Sequence, residues 1–173
     1  MKILIYFLFL SFFAKGQSFI IGDSQSFYLA RNSKKAKIYP RLAKVGIGIL
    51  ELIKMVERED ENREIENIFI SIGVNDGYVD KGISSLITVL QRKFPNSDLF
   101  VIKGSYGWGN VPANKIYNQR YLQYYEKFKN SGVGVLYGNI GMGDPHLDKS
   151  EYKKLSQNID CIIKNFEGKD CNS

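Results

Sequence analysis

Four short segments of the 173-residue sequence hold side chains suited to acyl-transfer chemistry. Gly22-Asp23-Ser24-Gln25-Ser26 offers a hydroxyl nucleophile, Gly73-Val74-Asn75-Asp76 a neutral amide donor, and Gly46 a backbone N–H with no side chain in front of it. Gly141-Met142-Gly143-Asp144-Pro145-His146-Leu147 holds the only histidine, with a carboxylate two residues before it. A serine hydroxyl is a weak nucleophile until a base takes its proton, the base needs a third group to orient it, and the developing oxyanion needs preorganised donors. The four segments supply each role. Each also has an ordinary structural use: Ser24 or Ser26 as a helix N-cap, Asn75 and Asp76 as turn residues, Gly46 as a plain strand-to-helix hinge, and a lone histidine as a packed or exposed side chain.

Composition removes competing chemistries. One His and two Cys cannot build the three or four ligands of a usual zinc site, so no metal is expected. The run Val45-Gly46-Ile47-Gly48 has Glu51 where a dinucleotide fingerprint needs a small residue, and no cofactor is expected either. The basic excess is spread over Arg31, Lys34, Lys35, Lys37, Arg41 and Lys44, with many acids elsewhere, and lacks the clustered stripe of a nucleic-acid binder.

These residues must be held by something, and the hydropathy pattern says what. Short apolar runs end in glycine: Ser18–Ile21 before Gly22, Ala43–Val45 before Gly46, Ile68–Ile72 before Gly73, Leu99–Lys103 before Gly104, and Val133–Tyr137 before Gly138. They read as five strands. Helical periodicity follows over Ile49–Glu59, Ile83–Lys93, Asn114–Asn130 and Lys149–Phe166, with Tyr117, Tyr121, Tyr124 and Phe128 forming a core stripe. The mixed-sign stretch Glu57–Glu64 reads as a solvated helix end and loop. Alternating strands and helices predict one α/β domain with a five-stranded parallel sheet covered on both faces. Ligands of such sheets bind beyond the carboxyl ends of the strands, where all the glycine turns lie.

Residues 1–16 have a charged start, the apolar run Ile3–Leu10 and a small-x-small site ending at Gly16. This pattern predicts a signal peptide, with the domain spanning 17–173 and the protein exported, secreted or periplasmic; the run is shorter than the roughly 20 apolar residues of a transmembrane helix. Membrane contact is expected only through this segment if it stays uncleaved. Without it Lys2 and Lys15 leave the count, and the net charge of +6 becomes +4, from 22 basic and 18 acidic residues. In an oxidising compartment Cys161 and Cys171 can pair and staple the tail to the last helix; the other reading leaves Cys161 in a helix and Cys171 free.

Gly22-Asp23-Ser24, Gly46, Gly73-x-Asn75-Asp76 and His146-Leu147 resemble the blocks of the SGNH (GDSL-type) hydrolase superfamily, in that order and over essentially the whole mature chain. The resemblance implies a flavodoxin-like three-layer α/β/α sandwich. It implies Ser24 as nucleophile, His146 as general base and then acid, and an oxyanion hole from the Ser24 N–H, the Gly46 N–H and the Asn75 amide, with Gly48 the alternative glycine. One departure stands out: the family's Asp lies three residues before its His, where this chain has Gly143. Residues i and i+2 of an extended segment share a face, and Pro145 favours extended backbone at Asp144, so Asp144 is the expected orienter. Asp148 and a backbone carbonyl are the alternatives. Tyr106 and Trp108, on the loop Gly104–Asn110, and Tyr78 are candidates for contact with a small-molecule or glycan ester. The expected activity is an exported serine esterase that removes small acyl groups, acetyl foremost, from a carbohydrate. A lipase, lysophospholipase or thioesterase, or a glycan-binding relative without hydrolysis, is the alternative.

Overall fold

A computed structural model of the chain describes residues 16–104, 115–137, 146–164 and 171. Five strands, β1 (Gln17–Gly22), β2 (Lys37–Ala43), β3 (Ile65–Ser71), β4 (Asp98–Lys103) and β5 (Gly134–Tyr137), pair in the order β2-β1-β3-β4-β5, and every pairing is parallel. The helices are α1 (Ser24–Asn32), α2 (Ile49–Glu57), α3 (Ile83–Lys93), α4 (Lys115–Asn130) and α5 (Lys149–Lys164). This is the flavodoxin-like topology.

Side-chain alternation along the strands builds a core on each face. Ile21, Ile68, Ile70, Leu99 and Val101 face a larger core with α2, α3 and α4, including Leu52, Val56, Leu86, Leu90 and Phe128. Ile20, Phe69 and Ile102 face a smaller one with Leu29 of α1 and Tyr152, Leu155 and Ile159 of α5. Phe69 is fully buried and stacks on Phe100 with ring centroids 5.1 Å apart; truncating such a side chain to Ala costs about 3–5 kcal/mol. The expected stripe on α4 packs inward at Tyr121, Tyr124 and Phe128.

Two elements differ from expectation. The second strand ends at Ala43 and runs back to Lys37, upstream of the apolar run Ala43–Val45, which is only its last residue and the turn beyond. It is an edge strand and carries Pro40, tolerable where one side of the ladder has no partner. Glu59 in the stretch Glu57–Glu64 is only 6% exposed; its Oε2 accepts from Tyr39 Oη at 2.6 Å and from Arg41 Nη2 at 2.7 Å. A sulfur bridge joins Cys161 near the end of α5 to Cys171.

The order of the sheet places the chemistry. The chain goes out from β1 to β2 on one side and to β3 on the other, so the crevice between the β1 and β3 ends is the topological switch point. Gly22 pairs with Ser71 across that junction, and the turns carrying Ser24 and Asn75 leave the sheet next to each other.

Candidate active site

Gly22 has φ +122°, and a Cβ there would lie 1.8 Å from the Ser71 carbonyl oxygen; only glycine makes this exit from β1. Asp23 follows as the N-cap of α1. Its Oδ1 accepts from the Gln25 N–H at 3.0 Å and from the Ser71 hydroxyl at 3.4 Å, while Oδ2, equally buried, has no partner. Burial pushes the Asp23 carboxyl up from 3.8 to about 7, against the pull of Gln25 and Ser71, with the charge of Asp76 adding to the rise. Ser26 donates its hydroxyl to the Asp23 carbonyl at 2.6 Å. Neither serine is therefore the cap.

Ser24 is the first residue of α1, so its backbone N–H has no acceptor within the helix and lies at the positive end of the helix dipole. Its Oγ lies 3.0 Å from Nε2 of His146, although the two are 122 residues apart. The His146 ring meets the Tyr28 ring edge-on at 5.4 Å, and Tyr28 stacks on Tyr152 at 5.0 Å. The next residue is anchored as well: the Leu147 N–H donates to Tyr152 Oη at 3.3 Å. Helix α5 thus fixes where the histidine stands.

The third turn is tied to the second. Gly73 (φ +124°) and Gly77 (φ +59°) bracket a short 3₁₀ turn at Val74–Asp76. Asn75 Nδ2 donates to the Ile47 carbonyl at 2.9 Å, which occupies one of its two amide protons. The Ile49 N–H donates to Asp76 Oδ2 at 2.7 Å, and Lys81 pairs with Oδ1 at 3.2 Å. Asp76 in this way caps helix α2 from another loop. The clamp closes on residues 47–49: Gly48 is the N-cap of α2, and a Cβ on it would lie 2.4 Å from the Asp76 carboxylate. Gly46 sits one residue outside, exposed, with nothing within 4 Å of the corresponding position.

Of the expected substrate contacts, Tyr78 is a correction. It is 2% exposed, and its ring packs among Tyr121, Tyr124 and Tyr125 at 4.8–5.9 Å, with its backbone at φ +56°. It supports the Asn75 turn from beneath. Tyr106, Trp108 and Asp144 lie outside the described residues. Asp148 caps α5: its Oδ1 accepts from the Ser150 N–H at 2.7 Å, the Ser150 hydroxyl at 2.7 Å and the Glu151 N–H at 2.9 Å, and these bonds hold its carboxyl below the usual range. Among the described residues no group of three or more His, Cys, Asp or Glu could hold a metal ion, and no helix is long and apolar enough to cross a membrane.

One feature escaped the sequence. Beside His146 opens a cleft of about 470 Å³ lined by Tyr28, Asn32, His146, Leu147, Lys149 and Tyr152. Tyr28 and Asn32 are four and eight residues after Ser24, on the same face of α1 as Ser24. That spacing was the available signal.

Fold and site together define the class: the chain has the fold of the SGNH (GDSL-type) ester hydrolases, with Ser24 and His146 within hydrogen-bonding distance at the carboxyl edge of the sheet. No family model and no curated protein matches the sequence. Solved structures do match. One is assigned as a platelet activating factor from Streptococcus pneumonia, with a TM-score of 0.61 and 15% identity over 89% of this chain and 86% of that one. Another is the lipase/acylhydrolase from Enterococcus faecalis, at 0.58 and 12% over 87% and 96%. A third is a carbohydrate esterase whose active site is described as having divergent catalytic and non-catalytic binding functions, at 0.52 and 14% over 89% and 70%. A lipolytic protein of the G-D-S-L family from Desulfitobacterium hafniense and the OSK domain of Drosophila Oskar share the fold too.

Proposed function

We propose that the protein is an exported serine esterase that removes small acyl groups, acetyl foremost, from the hydroxyls of a carbohydrate. The observation that carries the hydrolase reading is the 3.0 Å approach of Ser24 Oγ to His146 Nε2 at the start of α1. With Nε2 unprotonated, His146 takes the Ser24 proton as Oγ adds to the ester carbonyl. The oxyanion then faces the Ser24 N–H, the second amide proton of Asn75 and a glycine N–H. Gly48 is the glycine we assign, because Asn75 and Asp76 both bind the segment on either side of it. The carbon–oxygen bond to the alcohol breaks, His146 returns the proton to the departing alkoxide, and water attacks the acyl-Ser24 with His146 again as base. Carboxylate leaves and Ser24 regains its hydroxyl. Asp144 is the proposed orienter of Nδ1, since Asp148 is occupied by the end of α5.

Three things support the finer reading. The alcohol must leave on the side of the histidine that protonates it, and there the aromatic and polar cleft of Tyr28, Asn32 and Tyr152 has room for a sugar ring. A carbohydrate esterase shares the fold. Export agrees with the apolar segment 3–10 and with the Cys161–Cys171 bridge, a bond of oxidising compartments. One observation favours a longer acyl chain: Val45, Leu50 and Val79, on or beside the turns that hold Gly48 and Asn75, are 70%, 52% and 40% exposed. A lipase or lysophospholipase would use them.

The test is hydrolysis of acetyl, butyryl and octanoyl esters by the purified protein and by Ser24→Ala. Loss of at least about 10³-fold in the variant is expected, with acetyl the best substrate. Undetectable turnover, or turnover that survives the substitution, refutes the hydrolase reading; an octanoyl preference replaces the carbohydrate esterase with the lipase.

A further inference from the structure

Two cations at the cleft beside His146 have no ion-pair contact among the described residues. Lys149 lines it as the first residue of α5, where the helix dipole disfavours a cation. Arg31, three residues after Tyr28 on α1, stands outside the lining residues with its guanidinium 5.8 Å from the centroid of the Tyr28 ring. Both are exposed, and neither has a carboxylate partner among the described residues. The nearby acids are committed. Asp148 caps α5, Glu151 pairs with Lys154 at 3.4 Å, and Asp160 accepts from the Ser33 hydroxyl and from the Lys34 and Lys35 N–H groups. Tyr28 is 41% exposed and is backed by the buried Tyr152 ring, and Asn32, whose amide N–H₂ already donates to the Tyr28 carbonyl at 2.8 Å, keeps its oxygen as an acceptor for a hydroxyl.

We infer that this cleft seats the leaving alcohol and selects one that bears an anionic group, a carboxylate or phosphate on a hydroxylated ring, held by Lys149 in the lining and by Arg31 beside Tyr28. The inference rests on the hydrolase reading for the position of the alcohol. The exposed part of the Tyr28 ring takes the apolar face of the sugar, the Asn32 oxygen takes a hydroxyl, and the two cations take the anion. A neutral alcohol would leave both cations in water and gain only the stacking.

Three substrates separate the contributions: a methyl glucoside acetylated at O3, its uronate and its 6-phosphate, which differ only at C6. The uronate or the phosphate is expected to be cleaved at least about tenfold more efficiently than the neutral ester, the gain lying in KM. Lys149→Gln and Arg31→Gln should each remove most of that preference, read as the ratio of charged to neutral ester within each variant, and high salt should weaken it. Which charged substrate wins tells a carboxylate from a phosphate. A second measurement does not need turnover: calorimetric binding of the deacetylated uronate and phosphate to Ser24→Ala, with and without Lys149→Gln. Equal rates on all three esters by an active enzyme overturn the inference and leave the hydrolase reading standing. No turnover on any ester, with Lys149-dependent binding of the anionic sugar, overturns the hydrolase reading and supports the anion site. No turnover and no binding overturn both.

Discussion

Replacing Asp23 with asparagine should change how stability depends on pH. The carboxyl is fully buried, one oxygen lacks a partner, and its pKa stands at about 7 against 3.8 for a free side chain. Between those values the folded protein keeps a proton that the unfolded chain has released. More protons bound in the folded state means stability falls as pH rises, and the loss is confined to the window from about pH 4 to pH 7. Each pH unit of displacement is worth about 1.4 kcal/mol, so burying this carboxyl costs the folded state at most about 4 kcal/mol above pH 7 and nothing below pH 4. The substituted amide would keep a carbonyl oxygen for the Gln25 N–H and carry no charge at any pH. The stability of Asp23→Asn minus that of the parent is therefore expected to grow by up to about 4 kcal/mol from pH 4 to pH 8, most steeply between pH 5 and 7. Urea titrations at five pH values measure it by linear extrapolation, and other titrating groups cancel in the difference. A difference that stays flat across this window, or that moves in favour of the parent as pH rises, would refute the reasoning.

The remaining expectations address other parts of the site. Asn75→Ala should lower kcat on acetyl esters by about 10²–10³-fold with KM little changed, the cost of one oxyanion donor; a change confined to KM would remove Asn75 from that role. Gly22→Ala should yield little folded protein, or a domain weakened by more than about 3 kcal/mol in urea, because a methyl group at φ +122° would overlap the Ser71 carbonyl. Reducing Cys161–Cys171, which closes a loop of 10 residues, should lower stability by about 2–3 kcal/mol; an unchanged thermal midpoint in reductant would show that the bridge does not constrain the unfolded chain.

The parts of this architecture that could be read from the sequence are those where burial writes itself into composition. Ile68–Ile72 and Leu99–Lys103 are apolar because β3 and β4 are covered on both faces, and α3 has a clean apolar stripe because one side of it meets solvent. Strand β2 escaped because an edge strand need not be apolar: Lys37, Pro40 and Arg41 all face solvent, and only Leu42 and Ala43 are buried. Glu59 escaped because a charge run looks the same whether or not one member turns inward, and the turn inward is decided by Tyr39 and Arg41 some twenty residues away. Tyr78 misled because an aromatic residue two positions after a turn has the same spelling whether it faces a ligand or, as here, a cluster of tyrosines on α4.

Ser24, Asn75 and His146 were legible as candidates for a different reason. Ser24 and Asn75 each follow a glycine at positive φ at a strand end, a device that keeps its spelling, and His146 is the single histidine of the sequence. The cleft has no spelling of that kind, because its walls come from two helices that meet only in the fold. Yet half of it follows once α1 is recognised as a helix that starts at Ser24. A residue four positions on must lie on the same face as Ser24, and residues seven and eight positions on lie one turn further. Tyr28, Arg31 and Asn32 occupy those positions. On the proposed reading, the helix that begins at Ser24 also carries the side chains that would meet the leaving alcohol, and chemistry and selectivity would share one nine-residue element. Substitutions at Tyr28 or Arg31 should accordingly alter substrate choice while leaving the Ser24–His146 distance intact. Substitutions at Gly22 or Asp23, which set where that helix begins, should move both together.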